Sequence, residues 1–283
     1  MFTMRGNRPG QKVTALFLAG LLSTWAMASP CRESRSEEEA AGDSRVSLAK
    51  AGKDVKDVFV SPFHWKKNDF LKLSAVLGTG LLLGLADENI RTWAQERQTP
   101  GSSDFFGFIT NFGEGGYLCG FMAGLFAAGE IAGSGGIRKT ALLSFESFLV
   151  SSAFTTVLKV IPGRARPYAG EGSHSFHPFS SRSAYTGLPS GHSSAVWSVA
   201  TVIADRTDSV IVDAALYGLA ALTSLSRIHE DKHWASDVLI GSAIGYFTAK
   251  KICALNRNPK AANLSASFDL FGKRQAITLS LSF

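Results

Sequence analysis

The sequence predicts an all-α protein, a helical bundle of about six core helices, with a β-hairpin at its C-terminus. Three observations predict it. Apolar runs of helical length recur between residues 68 and 253, divided by the Gly, Pro and charged clusters that mark helix boundaries. The last twenty residues change to a strict period of two. The chain, 283 residues with 45% hydrophobic and 18% charged, is long and apolar enough to close one sizeable core.

The elements follow in order. Arg5, Arg8 and Lys12 precede an apolar run from Val13 to Trp25, and Ala26-Met27-Ala28 then offers small residues to a peptidase. Charged, apolar, then A-x-A is the order of a secretory signal peptide over residues 1–28, so the chain is expected to be exported, to the periplasm or the outer side of a membrane. The run is short for an uncleaved anchor, and Pro30 makes Cys31 a poor lipoprotein site. Residues 29–57 are mostly polar and charged and read as a disordered tether. Ser61–Trp65 reads as an extended lead-in to a helical domain over 58–255.

Within that domain helices are expected at Asn68–Ala86, Glu88–Gln98, Tyr117–Ala132, Lys139–Ile161, His192–Ala204, Asp208–Ser226 and Trp234–Cys253. A loop is expected at Thr99–Ser103 and an aromatic turn at Phe105–Phe112. Uncharged stretches fall short of the roughly 20 residues a bilayer span needs. Glu130, Glu146, Lys159 and Asp213 lie within or at the ends of the runs. That favours a water-soluble bundle resting on a membrane over an integral one. Residues 256–283 form the extension. Leu264, Ala266, Phe268 and Leu270 alternate with polar residues, as do Ile277, Leu279, Leu281 and Phe283 beyond Gly272-Lys273-Arg274, which is a hairpin pattern.

A net charge of +6 suits an anionic substrate or a membrane surface and gives no nucleic-acid stripe. Three cysteines are too few for a disulfide scaffold. Cys119 and Cys253 read as two apolar thiols that would pair only if the fold brought them together.

The chemistry is concentrated in three stretches. Lys159 and Arg166 flank Pro162-Gly163, which ends a helix and turns the chain. Ser190-Gly191-His192 opens a helix, where free N–H groups and the dipole make an anion site and Gly191 lets the backbone come close. Arg227, His233 and Asp237 follow, with Asp237 four residues after His233 and so expected on the same helix face, where it would fix the imidazole proton. Three cations, two imidazoles and one carboxylate suit phosphoryl transfer, which is mostly placement and charge stabilisation. His174 and His177 lie in a long polar loop and read as solvated rather than as metal ligands.

These stretches, K-V-I-P-G-R-A-R-P from Lys159, P-S-G-H from Pro189 and S-R-I-H-E-D-K-H-W-A-S-D from Ser226, resemble the three-part signature of the type 2 phosphatidic acid phosphatase family. That family shares its core with bacterial acid phosphatases and vanadium haloperoxidases. The motifs cover residues 159–237, and the helical runs extend the likeness to about 68–253. The resemblance implies a helical bundle that hydrolyses phosphate esters without a metal or other cofactor, vanadate acting only as an inhibitor. It implies His233 as nucleophile, Asp237 as its partner and His192 as acid and base. It implies Lys159, Arg166, Ser190, Gly191 and Arg227 as phosphate ligands. The expected substrate is a phosphorylated lipid, as a monoester or pyrophosphate, or a small phosphoester. A vanadate-dependent peroxidase and a non-catalytic lipid binder are the competing readings.

Overall fold

The computed structural model describes residues 48–257, with side chains from residue 52 onward, and the backbone of residues 264–269 and 276–281. The expected signal peptide and most of the tether lie outside the described residues. The end of the tether is not a coil. Leu48–Val60 forms helix α1, in which Asp54 is buried and accepts from Asn256 Nδ2 at 2.8 Å. Ser61–His64 is a 3-10 turn rather than an extended segment, started by Pro62.

Seven further helices follow: α2 Lys67–Gln95, α3 Pro100–Ile109, α4 Gly115–Ile131, α5 Gly135–Val160, α6 Gly191–Asp205, α7 Val210–His229 and α8 Ala235–Arg257. The two helices expected on either side of Asp87-Glu88 are one continuous helix, α2. Charges there do not break it, because Asp87 is paired inside the protein. The expected loop and aromatic turn after it are mostly helix α3 and a 3-10 turn, Thr110–Gly113. Thr99 caps α3 by accepting from Ser102 N at 3.1 Å, and Pro100 occupies the first turn, where its missing N–H costs nothing. Leu264–Asp269 (β1) and Ala276–Leu281 (β2) pair antiparallel, with Leu264 opposite Leu281. The turn between them lies outside the described residues.

Helix α6 is the centre. Val196, Trp197 and Ala200 pack on Ala220 of α7 and Tyr246 of α8. Val202 joins Leu143 and Val150 of α5 and Ile252 of α8. Ala195 and Val199 meet Leu118 and Met122 of α4. The α6–α8 contact is backbone-close: a Cβ at Gly245 would sit 2.2 Å from Ser194 O, and one at Gly241 2.3 Å from Ser190 O. Any side chain there would push the start of α6 away from α8.

Among the described residues four helices, α2, α5, α7 and α8, are long and apolar enough to cross a membrane. This corrects the expectation of short runs. Lys159 sits in the last turn of α5, Asp213 in the first turn of α7, and Glu146 is buried, so none of these three exposes a charge in mid-span. Helix α2 is the extreme case: only 11% of its most apolar window is buried inside the protein, and Leu81 and Leu85 stand exposed. Cys119 and Cys253 are free thiols.

Candidate active site

The sequence-predicted site residues converge at one end of the bundle. Lys159 ends α5, His192 lies in the first turn of α6, Arg227 lies in the last turn of α7, and Asp237 lies in the first turn of α8. The C-terminal end of α2 joins them, since Gln95 Nε2 donates to the carbonyls of Ile228 (3.3 Å) and His229 (3.2 Å).

The segment between α5 and α6 is folded by Gly163. Its φ is +58°, and a Cβ there would lie 1.7 Å from His177 O, so only glycine fits. The chain then runs back along itself: Ala165 N donates to Ser175 O at 2.9 Å and Gly187 N to Arg164 O at 2.9 Å. This carries Arg166 and Gly187 to the bundle end. His177 is not a free loop residue. It stacks on Tyr185 and meets Glu171 at 2.6 Å; Glu171 also accepts from Tyr185 and Ser175, and these hydrogen bonds hold its carboxyl below the usual range.

Ser190 caps α6. Its hydroxyl accepts from Ser193 N (3.4 Å) and Ser193 Oγ (3.0 Å), and its N–H donates to Asp237 O at 3.0 Å. The first turn of α6 is thereby fixed on α8. The Lys159 ammonium stands over that turn, 3.3 Å from where a Gly191 Cβ would be. Gly113 backs His192 from the other side, where a Cβ would meet His192 Cβ at 2.9 Å.

The second histidine departs from its expected geometry. His233 precedes α8 rather than lying on it, in a turn held to α2 by the two-pronged Arg91–Asp231 pair at 2.6 and 2.7 Å. Its Nδ1–H donates to Gly187 O at 2.7 Å, while Asp237 Oδ2 is 3.7 Å away. A backbone carbonyl therefore sets the tautomer and leaves the Nε2 lone pair free. Asp237 Oδ2 instead accepts from Trp234 N at 3.0 Å, and Oδ1 accepts from Arg164 at 2.6 Å.

Arg164 is the residue that sequence reasoning missed. It is buried and bridges Asp237 to Asp87 Oδ2 (2.8 Å), with further donation to Ser236 Oγ (2.7 Å) and Ser173 O. Burial pulls its pKa down, but the Asp237 and Asp87 charges outweigh that and leave it raised. Asp87 Oδ1 also accepts from Ser236 N at 3.0 Å, which caps α8 from a neighbouring helix. The available signal was a carboxylate inside an otherwise apolar helical run, which needs a partner.

The two imidazoles share an electrostatic environment. His192 is pushed down to about 3 by burial and then by Arg227, His233, Lys159 and Arg166. His233 is held well below the usual imidazole range by burial and by Arg166, Lys159 and Arg227. Both rings thus lie in the field of the same three cations. Arg227 Nη1 is engaged by Thr110 Oγ1 (2.5 Å) and Glu230 (2.6 Å), and Arg166 Nη2 reaches Thr186 Oγ1 at 3.2 Å. The Nε–H groups of both arginines are buried with no acceptor among the described residues. Such orphaned donors cost roughly 1–3 kcal/mol each unless an anion takes them.

Comparison with known proteins gives the family. The PAP2 superfamily profile matches residues 140–259, which hold every predicted site residue. A lipid A 1-phosphatase of Rhizobium etli is 30% identical over 200 residues, 65% of this chain and 82% of that protein. One from Porphyromonas gingivalis is 28% identical over 239 residues, 79% of this chain; the match spans 48% of that longer protein. Among solved structures, the transmembrane PAP2-type phosphatidylglycerolphosphate phosphatase of Bacillus subtilis shares the fold, with a TM-score of 0.53 at 21% identity, covering 66% of this chain and 96% of that one. The chain belongs to the PAP2 superfamily and is a phosphoric ester hydrolase.

Proposed function

We propose that this protein removes a phosphate group from a membrane lipid on the non-cytoplasmic side of the membrane, through a phosphohistidine and without a metal. The observation that carries the reading is the pair of buried, unpartnered guanidinium N–H groups beside two imidazoles and Lys159. Three cations at one point repel one another, and a multiply charged tetrahedral anion resolves that repulsion. The lipid part rests on three supports. The site lies where four apolar helices end. Phe105 and Phe108 of α3, 49% and 63% exposed, lie beside the Thr110 that holds Arg227. Two relatives are named for lipid A 1-phosphate, which makes that headgroup the first substrate to try. Export rests on the signal-peptide pattern of residues 1–28.

In this mechanism the Nε2 lone pair of His233 attacks phosphorus in line as the bond from phosphorus to the lipid oxygen breaks. His192 gives that oxygen its proton. His192 then takes a proton from a water molecule, whose oxygen displaces His233 and releases phosphate. Lys159, Arg166, Arg227 and the first-turn N–H groups of α6 hold the equatorial oxygens. The decisive test is phosphate release from lipid A 1-phosphate and phosphatidic acid by the full chain in detergent micelles. Turnover unaffected by excess EDTA is expected. Loss of turnover in EDTA that added metal restores would refute the metal-free route, and no release from any lipid phosphate would refute the substrate class.

A pH consequence follows. In the free protein His192 is neutral at pH 7, because its pKa lies near 3. A bound phosphate dianion offsets the cations that depress it, so the pKa rises on binding and protons are taken up between the free and bound values. Calorimetry of inorganic phosphate binding near neutral pH, in buffers of different ionisation heat, should show this uptake. His192→Asn should lower it, since phosphate's own protonation is common to both proteins. Equal uptake in the two would remove His192 from the phosphate site.

A further inference from the structure

We infer that Asp87, on helix α2 and outside all three motifs, is a positioning residue for the reaction: through Arg164 and Ser236 it sets the place and the net charge of Asp237 beside His233. The inference rests on the hydrolytic reading above.

The arithmetic of charge comes first. Asp237 is fully buried and its Oδ1 is 2.6 Å from Arg164. Taken as an isolated pair, these two cancel, and His233 would face a neutral dipole. Asp87, only 1% exposed, adds a second carboxylate on the far side of the same guanidinium at 2.8 Å. The buried cluster then carries one positive and two negative groups, an excess of one negative charge. When Nε2 of His233 bonds to phosphorus while Nδ1 keeps its hydrogen, the ring becomes cationic. An adjacent low-dielectric cluster with a net negative charge stabilises that cation against the field of Lys159, Arg166 and Arg227. Asp237 can act this way at 3.7 Å only because Asp87 shares Arg164 with it.

Placement comes second. Asp87 accepts from both Ser236 N (3.0 Å) and Ser236 Oγ (2.5 Å). It thus fixes the first turn of α8, one residue from Asp237 and three from His233. Arg164 ties the same point to the returning loop through Ser173 O, and that loop supplies the Gly187 carbonyl that orients His233. One buried carboxylate therefore joins α2, the loop and α8.

The two contributions are separable by substitution. Asp87→Asn keeps the shape and an oxygen acceptor for Ser236 N–H but removes the charge. In the full chain in detergent, acting on phosphatidic acid, kcat should fall about 10- to 100-fold with KM changed less than about twofold. Asp87→Glu, which restores the charge, should recover most of that loss. Activity of Asp87→Asn within about twofold of the parent overturns the inference, as does equal loss in the Glu and Asn variants. Should Asp87→Asn fail to fold, Ser236→Ala is the second variant. It removes the hydroxyl that lies between Arg164 and Asp87 and leaves the residue 236 N–H bond and every charge, so kcat should fall by about 3- to 10-fold with KM unchanged; unchanged kcat overturns the placement part. An inactive parent protein would instead count against the hydrolytic reading itself.

Discussion

His233→Ala is expected to abolish phosphate release, with turnover down by at least about 10⁴-fold and the fold retained. The ring is 3% exposed, and its Nδ1–H is spent on Gly187 O, so its one free function is the Nε2 lone pair. The other imidazole of the site, His192, lies on α6, with its pKa driven to about 3, and serves as acid and base in this mechanism. Removing the ring leaves Gly187 O without its donor, at a cost of about 1 kcal/mol, which a paired core tolerates. Phosphate release measured beside a thermal melt separates the two effects. Rapid acid-labile labelling of the parent protein by ³²P-substrate, absent in the variant, would place the phosphoryl group on this residue. Labelling that survives in His233→Ala would move the nucleophile elsewhere.

Arg166→Ala and Arg227→Ala are each expected to lower kcat/KM on the order of 10²- to 10³-fold, the range for losing one preorganised donor to transition-state charge. The stability effect should run the other way for Arg166. Its Nε has no protein acceptor, and it adds to the positive field on Lys159 and His233. Without an anion bound, taking it away relieves repulsion, so the melting temperature of Arg166→Ala should equal or exceed the parent's. Arg227→Ala should lack that gain, because it gives up bonds to Thr110 and Glu230. Added phosphate or vanadate should raise the parent's melting temperature far more than either variant's. Kinetics unchanged in both variants would dissolve the three-cation site.

Much of this site is legible in the chain because phosphate chemistry constrains residue type and spacing together. Lys159, Arg166, Gly191, His192, Arg227, His233 and Asp237 all reach one end of the bundle. What the sequence hides is the wiring among them. The i, i+4 spacing of His233 and Asp237 suggests a direct bond on a helix. The helix begins after His233, so a carbonyl 46 residues away takes the proton instead. Ser190 looks like a ligand, and its hydroxyl first serves as a cap. Asp87 and Arg164 leave no motif, because a buried pair is defined by a partner far along the chain. Helix α2 was divided at Asp87-Glu88 for the same reason. A charge reads as a boundary until its partner is known. The membrane-length helices are hidden in the same way, since Lys159 and Asp213 at helix ends and the buried Glu146 read as interruptions of apolar runs.

The lightly buried α2 has a consequence for where the protein can work. Little of that helix's most apolar stretch is covered by its own chain, yet one of its turns anchors Arg164 and the start of α8. A lipid or detergent shell that tilted this helix would carry Arg164 and the start of α8 with it, and through them Asp237 and the turn that holds the histidine.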